Sequence, residues 1–151
     1  MLFRSVFAAP MARAQVVDRP LPYVDSLQGA LTLALTRRQP LVVMVSLEGC
    51  PFCRVARTNY LRPILGVDGL QIVQVDMRDQ RAISDFQGRP LSHDALVRQW
   101  SIKIAPTVLF FGKGGVEVAG RLEGGYIPDF YGAYLEEHLA QARNAIRNSG
   151  R

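Results

Sequence analysis

Apolar positions in this chain switch between two periods, and the switches mark its elements. Over residues 25–38 (DSLQGALTLALTRR) Leu27, Leu31 and Leu35 recur at helical spacing, which predicts a helix capped by Asp25 or Ser26 with arginines in its last turn. Pro40 breaks that pattern, and the unbroken apolar run LVVMVSL at 41–47 reads as a strand covered on both faces. Residues 51–62 return to helical spacing, with Pro51 at the first helical position and Pro63 as the terminator or kink. A second strand is predicted over 70–77 around Ile72, Val73 and Val75, then an irregular stretch over 82–91 with Gly88 and Pro90, then a short helix capped at Ser92. Two strands, 106–112 and 115–124, flank Gly112-Lys113-Gly114-Gly115 and predict a hairpin. A last amphipathic helix is predicted from Asp129 to about Asn148, with Phe130, Tyr134, Leu135, Leu139 and Ile146 on its apolar face. The order of elements predicts a single α/β domain over 23–148, a mixed sheet with helices on both faces.

Composition narrows the function without choosing it. The chain has 151 residues, enough for one packed core, and its 48% hydrophobic and 21% charged residues are those of a globular protein. A net charge of +5 admits acidic partners, yet the basic residues are dispersed and carry no interleaved aromatics, so nucleic-acid binding is not expected. No apolar run reaches the ~18 residues that would span a bilayer. The first residues, MLFRSVFAAPMARAQ, combine Arg4, a short apolar stretch and Ala12-Arg13-Ala14, the form of a shortened export signal. Residues 1–22 are therefore expected to be a signal remnant and flexible N-terminus of a periplasmic or otherwise exported protein.

The candidate chemistry lies in EGCPFCR, residues 48–54, which holds both cysteines of the chain. Zinc would need about four ligands, and His93 and His138, the only histidines, do not stand at ligand spacing, so no metal is expected. No other cofactor is expected. A redox pair has a direct physical basis. A sulfur at the start of the 51–62 helix faces free N–H groups and the positive end of the helix dipole, which favour thiolate at Cys50. Cys53, one turn on and more buried, keeps its proton longer, so Cys50 is the expected attacking nucleophile and Cys53 the resolving thiol. Arg54 and Arg57 either add positive potential or are simply solvated. Phe52, and Pro51 beside it, are candidate partner contacts.

Cys-Pro-Phe-Cys after a hydrophobic strand, followed by Ile-Ala-Pro-Thr before another, resembles the thioredoxin superfamily. The resemblance implies that Pro106 is a cis-proline packed beside the disulfide and that the Ala105 backbone pairs with an incoming substrate chain. Over about residues 25–142 the chain is similar to SoxW-type periplasmic thioredoxin-related proteins. The similarity rests on an inserted segment with Phe86 and Gly88, a helix ending at Trp100, the hairpin, and Gly125-Tyr126 before the last helix. It implies a thiol-disulfide oxidoreductase acting on protein disulfides and kept reduced by a membrane electron donor, while the small size and the absence of a coiled-coil pattern make a monomer the expected form. Two departures stand out. Thioredoxins carry a buried acid six positions before the first cysteine, where this chain has Met44; Glu48 is the nearest carboxylate in sequence, a candidate for proton transfer or an exposed loop acid. The proline-aromatic dipeptide also resembles glutaredoxins, so a glutathione-dependent enzyme and a non-catalytic binding module on the same fold stay open.

Overall fold

A computed structural model of the chain describes residues 17–125 and 128–150. The export-signal features expected in the first fifteen residues lie outside these, as does Tyr126.

The sheet is built on β1 (Leu41–Ser46), whose six residues are all buried, the expected signature of a strand covered on both faces. It pairs in parallel with β2 (Gln71–Asp76) and antiparallel with β5 (Thr107–Gly112). The short strands β6 (Val116–Glu117) and β7 (Leu122–Glu123) both pair antiparallel with β5 and complete a five-stranded mixed sheet. The single strand expected over 115–124 is thus two short pairings with an outward loop between them. Val118 still donates to the Phe110 carbonyl, but the chain then leaves the ladder at Ala119 and Gly120.

Alternation along the strands sorts the core into two layers. On one face Val42, Met44, Ile72, Val108 and Phe110 pack against Cys53, Ala56 and Leu61 and against α5 (Pro128–Ser149) through Tyr131, Leu135, Leu139 and Ala142. On the other, Leu41, Val43, Val45, Val73, Leu109 and Phe111 meet α1 (Leu27–Thr36) and α4 (His93–Gln99). Both caps are hydroxyls: Ser26 accepts from the Gly29 N–H, and Ser92 from the Ala95 N–H. The α/β architecture with helices on both faces is the one expected.

Several local expectations change. Arg37 and Arg38 lie past the last turn of α1 rather than in it, Arg38 in the left-handed conformation at φ 56°. The apolar face of α5 runs through Tyr131, Leu135, Leu139, Ala142 and Ile146, leaving Phe130 and Tyr134 exposed. The stretch 82–91 is ordered: β3 (Ala82–Ser84) and β4 (Pro90–Ser92) form a separate two-stranded ribbon. Asp85 closes its turn by accepting the Gln87 and Arg89 N–H groups and the Arg89 guanidinium. Burial alone would push the Asp85 carboxyl up; these donors outweigh it and hold the group below its ordinary value. The ribbon is anchored by Phe86, whose ring packs on Phe111 and Trp100.

Residues ahead of 23 also pack against the sheet. Leu21 is buried, its N–H donates to Gln74 Oε1, and the Gln74 N–H donates to the Pro22 carbonyl. Residues 18–22 therefore form a strap, tied to β2 at Gln74 and to the helix after Cys50 through Arg57 and Arg62.

Candidate active site

Helix α2 (Pro51–Val55) begins directly after β1, and the turn between them holds Gly49 at φ 74°, a conformation glycine adopts without steric cost. Cys50 is the N-cap. Its backbone is extended, Pro51 occupies the first helical position, and the Cys53 N–H donates to Cys50 Sγ over 3.2 Å. The sulfur therefore takes one of the orphan donors of the helix start. The Cys50 and Cys53 Cα atoms are 5.3 Å apart and the two residues are joined as a disulfide, within the span such bonds require. Cys50 is half-buried and Cys53 is fully buried in the core below. Cys53 is thus the more buried of the two sulfurs, as its place one turn into the helix predicts.

The helix does not end at Pro63. It widens into a π-helical stretch, Ala56–Leu61, and closes with α3 (Arg62–Ile64). Pro63 has no N–H to give, and the wider turn, in which the Arg62 N–H reaches the Arg57 carbonyl, carries the helix through it.

Opposite the cysteines, the Ala105–Pro106 peptide is cis, as the resemblance implied, and the Ala105 carbonyl oxygen lies 3.8 Å from Cys50 Sγ. The Gly124 N–H donates to the Pro106 carbonyl over 2.7 Å. Gly125 sits against both walls of this cleft: a Cβ there would stand 3.3 Å from Phe52 Cβ and 3.7 Å from Pro106 Cγ. Pro51 and Phe52 are exposed at the rim, Phe52 by 48%. Cys50, Cys53, Pro51, Phe52, Ala105 and Pro106 are thus brought together, with Gly124 and Gly125 completing the cleft. Glu48 lies exposed on the approach loop. Met44, where related proteins carry an acid, is buried in the apolar layer that holds Cys53.

The polar surroundings lie elsewhere. A cavity of about 840 Å³ opens on the other flank of Cys50, between the start of α2 and the end of β2. Its inner wall is a connected network. Arg57 is only 7% exposed; its Nε and Nη2 each donate to an Asp18 carboxylate oxygen at 2.8 Å, and its Nη1 donates to Ser46 Oγ and Gln74 Oε1. The hydrogen bond from Arg57 holds Asp18 below the usual carboxylate range. Gln74 Nε2 donates to Asp76 Oδ1 and to the Tyr23 hydroxyl, which donates to Asp76 Oδ2. Burial, together with that carboxylate, pushes the Tyr23 phenol up. Next to this network His93 is fully buried, its Nδ1 accepting the Asp76 N–H, and desolvation pulls its pKa down. Of the two arginines weighed as a source of potential, Arg54 is exposed and Arg57 is not. The buried network went unpredicted, although Arg57 stands four residues after Cys53, on the same side of the helix.

The sequence profile of the thioredoxin-like domain matches residues 27–139. No curated protein matches the chain. Among solved structures, the chain is similar to a protein described as DsbH oxidoreductase, at 16% identity and a TM-score of 0.55, covering 91% of this chain and 95% of that one. It is similar to thioredoxin f from spinach chloroplast at 14% identity and a TM-score of 0.56, over 82% and 94% of the two chains. Chlamydomonas reinhardtii thioredoxin f2 gives 18% identity and a TM-score of 0.52, over 78% and 95%.

Proposed function

Because the chain belongs to the thioredoxin-like family, we propose that it is a thiol-disulfide oxidoreductase that reduces protein disulfides through Cys50 and Cys53. One observation carries the reading: Cys50 Sγ caps the redox helix and receives the Cys53 N–H, while Cys53 is buried beneath it. In the reduced protein the Cys50 thiolate attacks one sulfur of the substrate disulfide. A mixed disulfide forms, and the other substrate sulfur leaves as a thiolate that takes up a proton. Cys53 then gives up its proton and attacks Cys50 Sγ, releasing the second substrate thiol and closing the Cys50–Cys53 disulfide. Two electrons and two protons pass to the substrate.

The substrate chain lies along Ala105 and Pro106, with Pro51 and Phe52 at the rim, and Glu48 is the candidate to exchange protons at the mouth of the site. The reducing direction, an exported location and resupply by a membrane electron donor of the thiol-disulfide carrier type rest on the SoxW-type resemblance. A monomer is the expected working form.

Reduction of insulin disulfides in the presence of dithiothreitol tests the activity. Cys50→Ser is expected to abolish it, and Cys53→Ser to accumulate the mixed disulfide. Glutathione turnover that survives Cys53→Ser replaces this reading with a glutaredoxin-like one, and an inert pair in both assays replaces it with a binding module. Equilibration against glutathione buffers fixes the direction: a potential well below the glutathione couple supports the reductant.

A further inference from the structure

Between Pro51 and Arg57 the residues buried by helix α2 and its continuation are Cys53, Ala56 and Arg57, the i, i+3, i+4 spacing of one face. A fixed positive charge is thus held beneath the redox helix, four residues after the resolving cysteine. Burying a guanidinium is costly unless its donors are met. Here they are met by Asp18, Ser46 and Gln74, and Asp18 arrives on the strap that precedes α1. Cys50, Arg57 and Asp18 line the same cavity.

The other charged groups facing that cavity are Glu48 from the loop before α2, Arg54 from α2 itself, and Asp76, Arg78, Asp79 and Arg81 from the end of β2 and the loop after it. All are exposed or half-exposed, so water screens them; Arg57 alone among them is buried. On the apolar side, Met44 offers no charge to oppose it.

We propose that Arg57 is a positioning residue that sets the acidity of the Cys50 thiol, and that Asp18, carried on the N-terminal strap, attenuates it. The inference rests on the oxidoreductase reading only for its consequence, since a charge acts on a nearby thiol whether or not substrate turns over. A cation near the sulfur stabilises thiolate, hence the reduced protein, and raises the reduction potential; a carboxylate paired with that cation offsets part of the effect. The two partners of one ion pair therefore act on Cys50 with opposite sign.

The test is the pH dependence of Cys50 alkylation by iodoacetamide in the fully reduced protein, with the potential against glutathione and the urea midpoint measured alongside. Arg57→Met is expected to raise the apparent Cys50 pKa by about one unit, a tenfold loss of thiolate below the pKa, and to lower the potential. Asp18→Asn is expected to move both in the other direction. Arg57→Lys keeps the charge but loses the two-pronged contact, so it is expected to titrate near the wild type while unfolding at lower urea. If Arg57→Met does not fold, Asp18→Asn and Arg57→Lys carry the test. Unmoved titration in Asp18→Asn, or movement of both charge-removing variants in the same direction, overturns the proposal and leaves a pair that only ties the strap to the helix. A wild type that reduces no disulfide while its variants still shift in opposite directions overturns the oxidoreductase reading instead.

Discussion

His93 shows how one side chain binds acidity to stability. It is fully buried, its Nδ1 accepts the Asp76 N–H, and among the described residues its Nε2 has no partner. Protonation at Nδ1 would break that bond and place a charge where the ring is fully buried. Desolvation therefore lowers the folded-state pKa below the ordinary value of about 6.5. The unfolded chain binds the extra proton first, so the stability from a neutral His93 is complete above about pH 6.5 and declines as pH falls below it. Urea midpoints are expected to drop between pH 7 and pH 5 in the wild type. They are expected to stay nearly level in His93→Gln, whose amide oxygen can accept the same N–H. The depressed carboxyls of Asp18 and Asp85 act below about pH 3.8, where their unfolded counterparts protonate, and leave this window clear.

Among the elements, the β3–β4 ribbon and the β5–β6 turn depend on one another. Gly115 has φ 74°, and a Cβ on it would lie 2.4 Å from Phe86 Cγ, in the ring that packs against Phe111 and Trp100. Gly115→Ala therefore meets a backbone penalty and a collision together, and is expected to lower stability by about 1–3 kcal/mol in urea unfolding. On the other face of the sheet, Leu139→Ala opens space between α5 and the strands and is expected to cost about 2–5 kcal/mol.

The elements also mark what was legible in the sequence. β1, β2 and β5 are apolar runs whose burial follows from composition, and Cys50 with Pro51 announced a capped helix, so the sheet and the cysteine-capped helix were readable. The ribbon was not, because three-residue strands are shorter than any period that could reveal them. Its order comes instead from Asp85, whose turn-closing bonds are local, and from Phe86, whose partners are distant in sequence. Leu135, Leu139 and Ile146 of the α5 face were placed correctly, but Phe130 and Tyr134 were not, because Tyr131 stands next to the equally aromatic Phe130. Arg57 was ambiguous because a charged residue reads as solvent-facing unless its counter-ion is known, and Asp18 lies 39 positions away.

At the scale of the molecule, β1 is buried on both faces and contributes to both core layers, so neither layer can melt while the sheet stays intact. Unfolding is expected to be a single transition. The only tryptophan, Trp100, packs on Phe111 in the layer away from α5 and reports on that side alone. Leu139→Ala, in the opposite layer, is nonetheless expected to shift the Trp100 fluorescence midpoint and the far-ultraviolet circular dichroism midpoint by the same amount. Separate midpoints would show that the layers unfold independently.

The strap has a further consequence at this scale. β2 ends the sheet, and an uncovered terminal strand offers its free amides and carbonyls to any passing chain. The Pro22 carbonyl occupies that border by accepting the Gln74 N–H, and the Leu21 N–H holds the Gln74 side chain beside it. Trimming the protein ahead of residue 23 would strip this guard and leave β2 open to self-association, so the segment that brings Asp18 to Arg57 also helps keep neighbouring molecules apart.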